Sequence, residues 1–512
     1  MKTIYTNGVI LTLENIKANA LVVEDGKIIG LGDYHNLYQE GMKVVDLKGH
    51  TLMPSFIDAH SHFSGYAMGF LQVPLDNCQS IKEIQTKIKD YIKDNHIDET
   101  QFVNCKGYNQ EKLDEKHHIT RQELDEVFST IPIVIQHYTG HCGIMNSAAL
   151  QKLNIEKNTV IQGGHIDFDK GFLEENAYTS YVQKVPMPSL DLLKKAYIKA
   201  QKSYAHYGIT TLQDGMIVDE LKDIYQMLVN QDCLFLDVVG YLGFDAQSFI
   251  KTFEDYKKVY HHHFKVGGYK TFLDGSPQNK TAWTIEPYLD GTHGYPTLSD
   301  EQLQKSLVKA INEDMQVLVH CNGDQAIQHY IEQYSLVCKQ DIRPVIIHAQ
   351  MMRPEQMEKA RDLHMIASFF LAHVYYLGDI HKRNMGERAN TISPLHSALK
   401  HHLLFTMHQD APVIEPNMLE TIQIAVQRKT QSGEVLGKEE CINVENALKA
   451  ITINAAYQYH EEDSKGSLKV GKRADMIILS DNPLTVDTQH IQDIEVLTTI
   501  KDGQIIYQKD EK

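Results

Sequence analysis

The chain of 512 residues carries 50 Lys and Arg against 67 Asp and Glu, a formal charge of −17, and 42% of it is hydrophobic. That mix belongs to a globular protein of roughly two to four domains with a large core, and the acidic balance argues against a nucleic-acid partner, whose backbone calls for clustered Lys and Arg. No run approaches the ~20 apolar residues of a membrane span, so no membrane partner is expected. The start reaches Glu14 before a signal-peptide core develops, and the seven cysteines are scattered without a CxxC pair. Reduced thiols in a cytoplasm are therefore expected.

In chain order, the first fifty residues read as short strands broken by turns. TIYTNGVILTL carries Asn7-Gly8 and ALVVEDGKIIGLG carries Asp25-Gly26, both hairpin signals. The apolar strand TLMPSFIDA then leads into His60-Ser61-His62. Between about 70 and 200, SIKEIQTKIKDYIKDNHIDE and SLDLLKKAYIKAQKSYAHYG look like amphipathic helices, with QFVNCKG and IPIVIQHYTGHCGIMN as strands between them. From GITTLQDG onward, HFKVGGYKTFLDG, MQVLVHCNG, RPVIIHAQ, MIASFFLA and HLLFTMHQD are apolar runs ending in polar residues. Charged helical stretches such as SDEQLQKSLVKAINED and RPEQMEKARDLH separate several of them, the rhythm of parallel strands in a (β/α)8 barrel. The C-terminus returns to hairpin grammar, with Asp502-Gly503 inside VLTTIKDGQIIYQ.

These elements predict an α/β fold: a (β/α)8 TIM-type barrel with a small β-sandwich drawn from both chain ends and an α+β insertion. The boundaries expected are 1–54 and 464–512 for the sandwich, 55–75 and 200–463 for the barrel, and 76–199 for the insertion over the barrel mouth.

Chemistry in such barrels sits at the C-terminal ends of the strands. His60 and His62, two apart on a strand, would face one way. Alone the pair says little, because 27 histidines in this length make one or two such pairs by chance, and His261-His262-His263 reads as a solvated tract. The company is what counts: Lys270, His320, His348 and Asp410 each end a different apolar run. Nitrogen and oxygen donors delivered to one mouth by several strands suit zinc or a similar divalent ion.

PSFIDAHSHF, GITTLQDG, GGYKTFLDGS, VHCNGDQAI, IIHAQMMRPEQM, HQDAPV and KGSLKVGKRADMIIL resemble the signature blocks of the amidohydrolase superfamily. The match is to its metal-dependent hydrolase branch, which includes N-substituted formamide deformylase and the YtcJ-like proteins. The likeness runs nearly the whole length and includes ITRQELDEV, TGHCGIMNSAAL and GFLEENA in the insertion. It implies a barrel with a flanking sandwich and one or two divalent metal ions, zinc foremost. His60 and His62 would bind the first metal, and His320 and His348 the second. Lys270 would stand where many members carry a carboxylated lysine, and Asp410 would touch metal and act as catalytic general base. The chain departs from the pattern with His408-Gln409 in place of the usual Gly-Ser, and with Ile347 in place of the usual Glu. An uncarboxylated Lys270 paired with an acid such as Asp274 is the alternative to carboxylation.

Further candidates for substrate contact are His141 and Glu175 on the insertion, Lys280, His373 and His408, each with ordinary packing or solvation as its alternative. Asn146 shares the insertion with the first two. Asp324 either orients His320 or caps the following helix. Trp283 reads as packing. The expected activity is hydrolysis of a non-peptide C–N bond, a substituted amide or formamide, in a small-molecule substrate. The alternatives are deamination of a heterocycle and a catalytically silent barrel scaffold. Homodimerisation is expected only by analogy with relatives.

Overall fold

The computed structural model describes residues 2–338 and 340–510. It divides into two compact units, Met1–Gly65 with Gln201–Lys512, and Tyr66–Ala200.

In the first unit, eight parallel strands form one sheet in strict chain order. They are β1 (Phe56–Ile57), β2 (Ile209–Ile217), β3 (Asp237–Leu242), β4 (Phe264–Phe272), β5 (Gln316–Cys321), β6 (Val345–His348), β7 (Ile366–Phe370) and β8 (Phe405–His408). Helices intervene as the charge pattern demands. Asp300–Asn312 starts on a capping box of Ser299 and Gln302, and Pro354–Asp362 starts with proline, whose missing N–H costs nothing there. The ring closes just past the strands, where Asp410 N donates to His60 O (3.1 Å) and His62 N to Ala411 O (2.7 Å). This is a TIM-type barrel.

Its interior is filled by Ile57, Val239, Tyr241, Leu318, Val345, Ile347 and Ile366, with Ala455, Ala456 and Tyr459 packed against them from the N-terminal end. That plug leaves the C-terminal ends of the strands for chemistry. Close strand packing explains Gly268 in β4, where a Cβ would lie 2.0 Å from Gln316 O. The floor also holds a buried ion cluster. Asp237 accepts from Lys465 (2.5 Å), Lys501 (2.8 Å), Arg473 (3.0 Å) and His263 (2.8 Å), and Lys501 reaches Asp475 as well (2.9 Å).

Two further sheets belong to the same unit. One has strands Lys27–Gly32, Ala20–Glu24, Thr3–Thr6 and Lys43–Asp46 in that order. The other orders Val9–Ile10, Thr51–Pro54, Met476–Leu479, Val496–Lys501 and Gln504–Gln508, so this sheet is built of strands from both chain ends. The sheets share a core of Tyr5, Leu21, Leu52, Met476 and Ile500. Asp25-Gly26 and Asp502-Gly503 turn hairpins as expected. Asn7-Gly8 does not: Thr3–Thr6 pairs with Ala20–Glu24, whereas Val9–Ile10 pairs with Thr51–Pro54, so this turn passes the chain between sheets. TLMPSFIDA is likewise not one strand. Thr51–Pro54 serves the mixed sheet and Phe56–Ile57 the barrel.

The second unit has a six-stranded mixed sheet, ordered Gly164–Asp167, Phe172–Glu175, Cys142–Met145, Ile133–His137, Val103–Tyr108 and Gln72–Pro74. Helix Ile81–Asn95 buries Ile81, Ile84 and Ile88 on one face, begins on Ser80 and stops at His96 in the left-handed region. The unit begins earlier than residue 76 because Gln72–Pro74 adds to its sheet, a strand too short to register as an apolar pattern. No helix among the described residues is long and apolar enough to cross a membrane.

Candidate metal centre

At the closing seam of the barrel, His60 Nε2, His62 Nε2 and an Asp410 carboxylate oxygen lie within 4.8 Å of one another. Asp410 Oδ1 is 3.5 Å from each imidazole nitrogen. Neither histidine is on a strand: His60 lies in the bend after β1 and His62 makes an isolated bridge with Asp214, so strand alternation does not aim them. Their second nitrogens do. His60 Nδ1–H donates to Gln213 Oε1 (2.5 Å), and His62 Nδ1–H donates to Gly215 O (2.7 Å). Amide and peptide oxygens can only accept, so the proton sits on Nδ1 in both rings and each Nε2 turns a lone pair inward.

The neighbouring residues make this geometry rigid. Gln213 is itself held by Ala59 O (2.8 Å) and Tyr459 OH (3.0 Å), the latter from the interior plug. Gly215 has no room for a side chain, since a Cβ would lie 2.9 Å from His60 Cε1. His348 and Asp410 sit at φ of +72° and +53°, conformations that cost side-chain-bearing residues about 1–3 kcal/mol and gather at functional sites.

Lys270 Nζ donates to His60 Nε2 (2.9 Å) and His62 Nε2 (3.3 Å). Burial pushes this lysine down to about 8 against the opposing pull of Asp410 and Asp214. Burial raises Asp410 to about 6, with Lys270 and His320 opposing. Burial first, then Lys270, takes His62 down to about 3, and burial holds His60, His348 and His408 well below the ordinary imidazole range. All four rings are therefore neutral near pH 7, the form that ligates metals. Two lone pairs, shared with Lys270 Nζ, and a buried carboxylate oxygen without a hydrogen-bond donor among the described residues face one point. A set of acceptors so arranged is stabilised by a cation, and its N2O composition suits a divalent ion such as zinc.

The other expected ligands lie farther out. His348 Nε2 is 3.9 Å from Asp410 Oδ2. His320 packs its ring on His348 (4.6 Å between centroids), its Nδ1 3.3 Å from Asp274 and its Nε2 3.3 Å from Asn322 Nδ2. Asp274 is thus not the partner of Lys270. Its carboxylate accepts from the backbone N–H groups of Trp283, Asn322 and Gly323. Asp324 does not orient His320 either, but binds Arg353 Nε (2.6 Å) and Ile285 N (2.9 Å).

Of the substrate candidates, Lys280 spends its charge on Asp290 in an exposed loop. His141 and Glu175 pair with each other at 3.2 Å, both exposed, on the second unit, where Asn146 is buried and caps helix Ser147–Lys152. His373 is buried beside His381 (3.2 Å), and His408 is fully buried. The sequence reading passed over Gln213 and Asp214. The latter is buried beneath His62 and bound by Ser64 and Tyr225. Both stand in GITTLQDG, a strand and a signature block in which the sequence marks neither residue as a site candidate.

The sequence profile of the Amidohydrolase family matches residues 43–507. The chain is 28% identical to YtcJ of Bacillus subtilis (strain 168) over 99% of its own length and 100% of the relative's. It is 24% identical to N-substituted formamide deformylase of Arthrobacter pascens over 97% and 96% of the two chains. Its fold is shared with an uncharacterized metal-dependent hydrolase from Pyrococcus furiosus, at a TM-score of 0.79, 23% identity, and coverage of 95% of this chain and 100% of that one.

Proposed function

The chain belongs to the amidohydrolase family, and from that premise we propose that it hydrolyses a non-peptide C–N bond in a small molecule, a substituted amide or formamide. The observation that carries this reading is the convergence of His60 Nε2, His62 Nε2 and Asp410 Oδ1 on one point. Likeness to a formamide deformylase over nearly the whole chain supports the substrate class.

His60, His62 and Asp410 would hold the first divalent ion, with His320, His348 and Lys270 available to a second. When bound, such an ion acidifies water towards a pKa of about 7 and polarises a carbonyl oxygen. Asp410, ionised above about 6, takes the proton of the attacking water. It then returns that proton to the departing nitrogen, which leaves poorly as an amide anion. One carboxylate serves both steps because it borders the reacting water throughout. Lys270, brought down to about 8, has a neutral fraction whose Nζ could add carbon dioxide and release one proton to solvent, which would convert a donor facing two lone pairs into an anionic carbamate ligand. His373, whose ring meets that of His348 edge-on at 6.0 Å between centroids, would contact the substrate beside the ligands.

Elemental analysis of the purified protein should find zinc, manganese or iron in stoichiometric amount. A chelator should abolish turnover and lower the melting temperature, since a ligand that binds only the folded state stabilises it. N-formyl and N-acetyl amines should release free amine without ammonia. Ammonia instead of amine would support deamination, and a chain that takes up no metal after refolding with it would be a silent scaffold.

A further inference from the structure

His408 ends β8 with no exposed surface, so it does not greet a substrate from solution. Its ring stacks on Phe370 (5.5 Å between centroids, 7° between planes), and both of its nitrogens are engaged. Nδ1 meets Ser368 Oγ at 2.8 Å, and Nε2 meets His348 Nδ1 at 3.3 Å. On the far side of His348, Nε2 points at Asp410 Oδ2 (3.9 Å). A hydroxyl and two imidazoles therefore form a line leading to the carboxylate of the candidate metal centre.

Each neutral imidazole has one proton, so the line admits two proton arrangements. In one, Ser368 donates to His408 Nδ1, His408 Nε2–H donates to His348 Nδ1, and His348 presents N–H to Asp410. In the other, His348 Nδ1–H donates to His408 Nε2, His408 Nδ1–H donates to Ser368 Oγ, and His348 turns a lone pair inward. Only the second makes His348 a metal ligand.

We propose that His408, backed by Ser368, is a positioning residue that holds the proton of His348 on Nδ1 and so makes its Nε2 a ligand. The proposal rests on the metal-centre reading above. It gives β7 and β8 a part in the site through residues that touch neither the ion nor the substrate. The chemistry required at position 408 is an acceptor at the reach of an imidazole Nε2. Gln meets that requirement through Oε1, whereas Phe fills the volume and keeps the stacking on Phe370 but accepts nothing.

The test uses the full chain, Zn²⁺ as probe, and affinity measured by competition with a coloured chelator. His408→Phe should bind zinc about 10–100-fold more weakly, the usual effect of losing a partner behind a ligating imidazole. His408→Gln should recover most of that loss, and Ser368→Ala should weaken binding by a smaller factor. Cobalt-loaded protein should show a changed visible spectrum in His408→Phe and a near wild-type one in His408→Gln. Wild-type affinity in His408→Phe overturns the proposal, and so does an equal loss in the Phe and Gln variants, which would mark a purely structural role. Absence of zinc binding by the wild-type chain overturns the metal reading and this proposal with it.

Discussion

Asp410→Asn should lower kcat/KM by about 10³–10⁴-fold, the upper part of the range for a lost general acid–base, while the protein keeps its fold. The asparagine Oδ1 can still face the two Nε2 atoms that Asp410 Oδ1 faces at 3.5 Å. What disappears is a group that can take a proton from water and give it back. In the metal-free protein, stability should hold or rise near pH 7. Burial lifts the carboxyl to about 6, so its ionised form opposes folding once the pH exceeds the unfolded value of about 3.9. Folding stability tied to Asp410 is fully present below that value and is lost as pH rises through about 6, and a neutral amide escapes the loss. The check pairs steady-state kinetics with metal content and thermal melting. Turnover within tenfold of wild type in metal-replete Asp410→Asn would end the general-base role.

The largest effect on stability should come from the opposite end of the barrel. Asp237→Ala should cost about 3–5 kcal/mol in urea unfolding, because it leaves buried cations without their shared carboxylate. Lys465 keeps Glu461 (2.6 Å) and Lys501 keeps Asp475 (2.9 Å), which places the cost inside that range rather than above it. Burial alone would raise the Asp237 carboxyl, but Lys465, Lys501, the His263 hydrogen bond and Arg473 overcome it and hold it well below the carboxylate range. A depressed folded value means the contribution is present above about pH 3.9 and is lost only as pH falls through the lower value. The deficit of Asp237→Ala should therefore be the same at pH 5 and pH 8. A deficit below 1 kcal/mol, or one that halves between those two values, would contradict this reading of the cluster.

The barrel was legible because its strands end in residues that do not belong on apolar runs. Lys270, His320, His348 and Asp410 stood out against VGGY, QVLV, PVII and LLFTMHQ by chemistry alone. The partners that aim the ligands were not legible. Gln213 orients His60 only because β2 lies beside β1, and Ser368 reaches His408 only because β7 and β8 pair in register at Phe370 and His408. Such pairings are facts of three-dimensional register, and a glutamine or serine inside an apolar run carries no mark of them. The turn at Asn7-Gly8 misled for a related reason. A tight turn reverses the chain wherever it occurs, but which strand receives the returning segment depends on sheets completed hundreds of residues later.

The two hydrogen bonds that join the His60–His62 bend to Asp410 and Ala411 have a consequence for biosynthesis. A nascent chain still short of residue 410 has both imidazoles outside the ribosome yet lacks the third donor and the last stave of the ring. On the proposed metal reading, such a chain would offer an ion two of the three donors, and the site would be complete only once the final strand docks against the first.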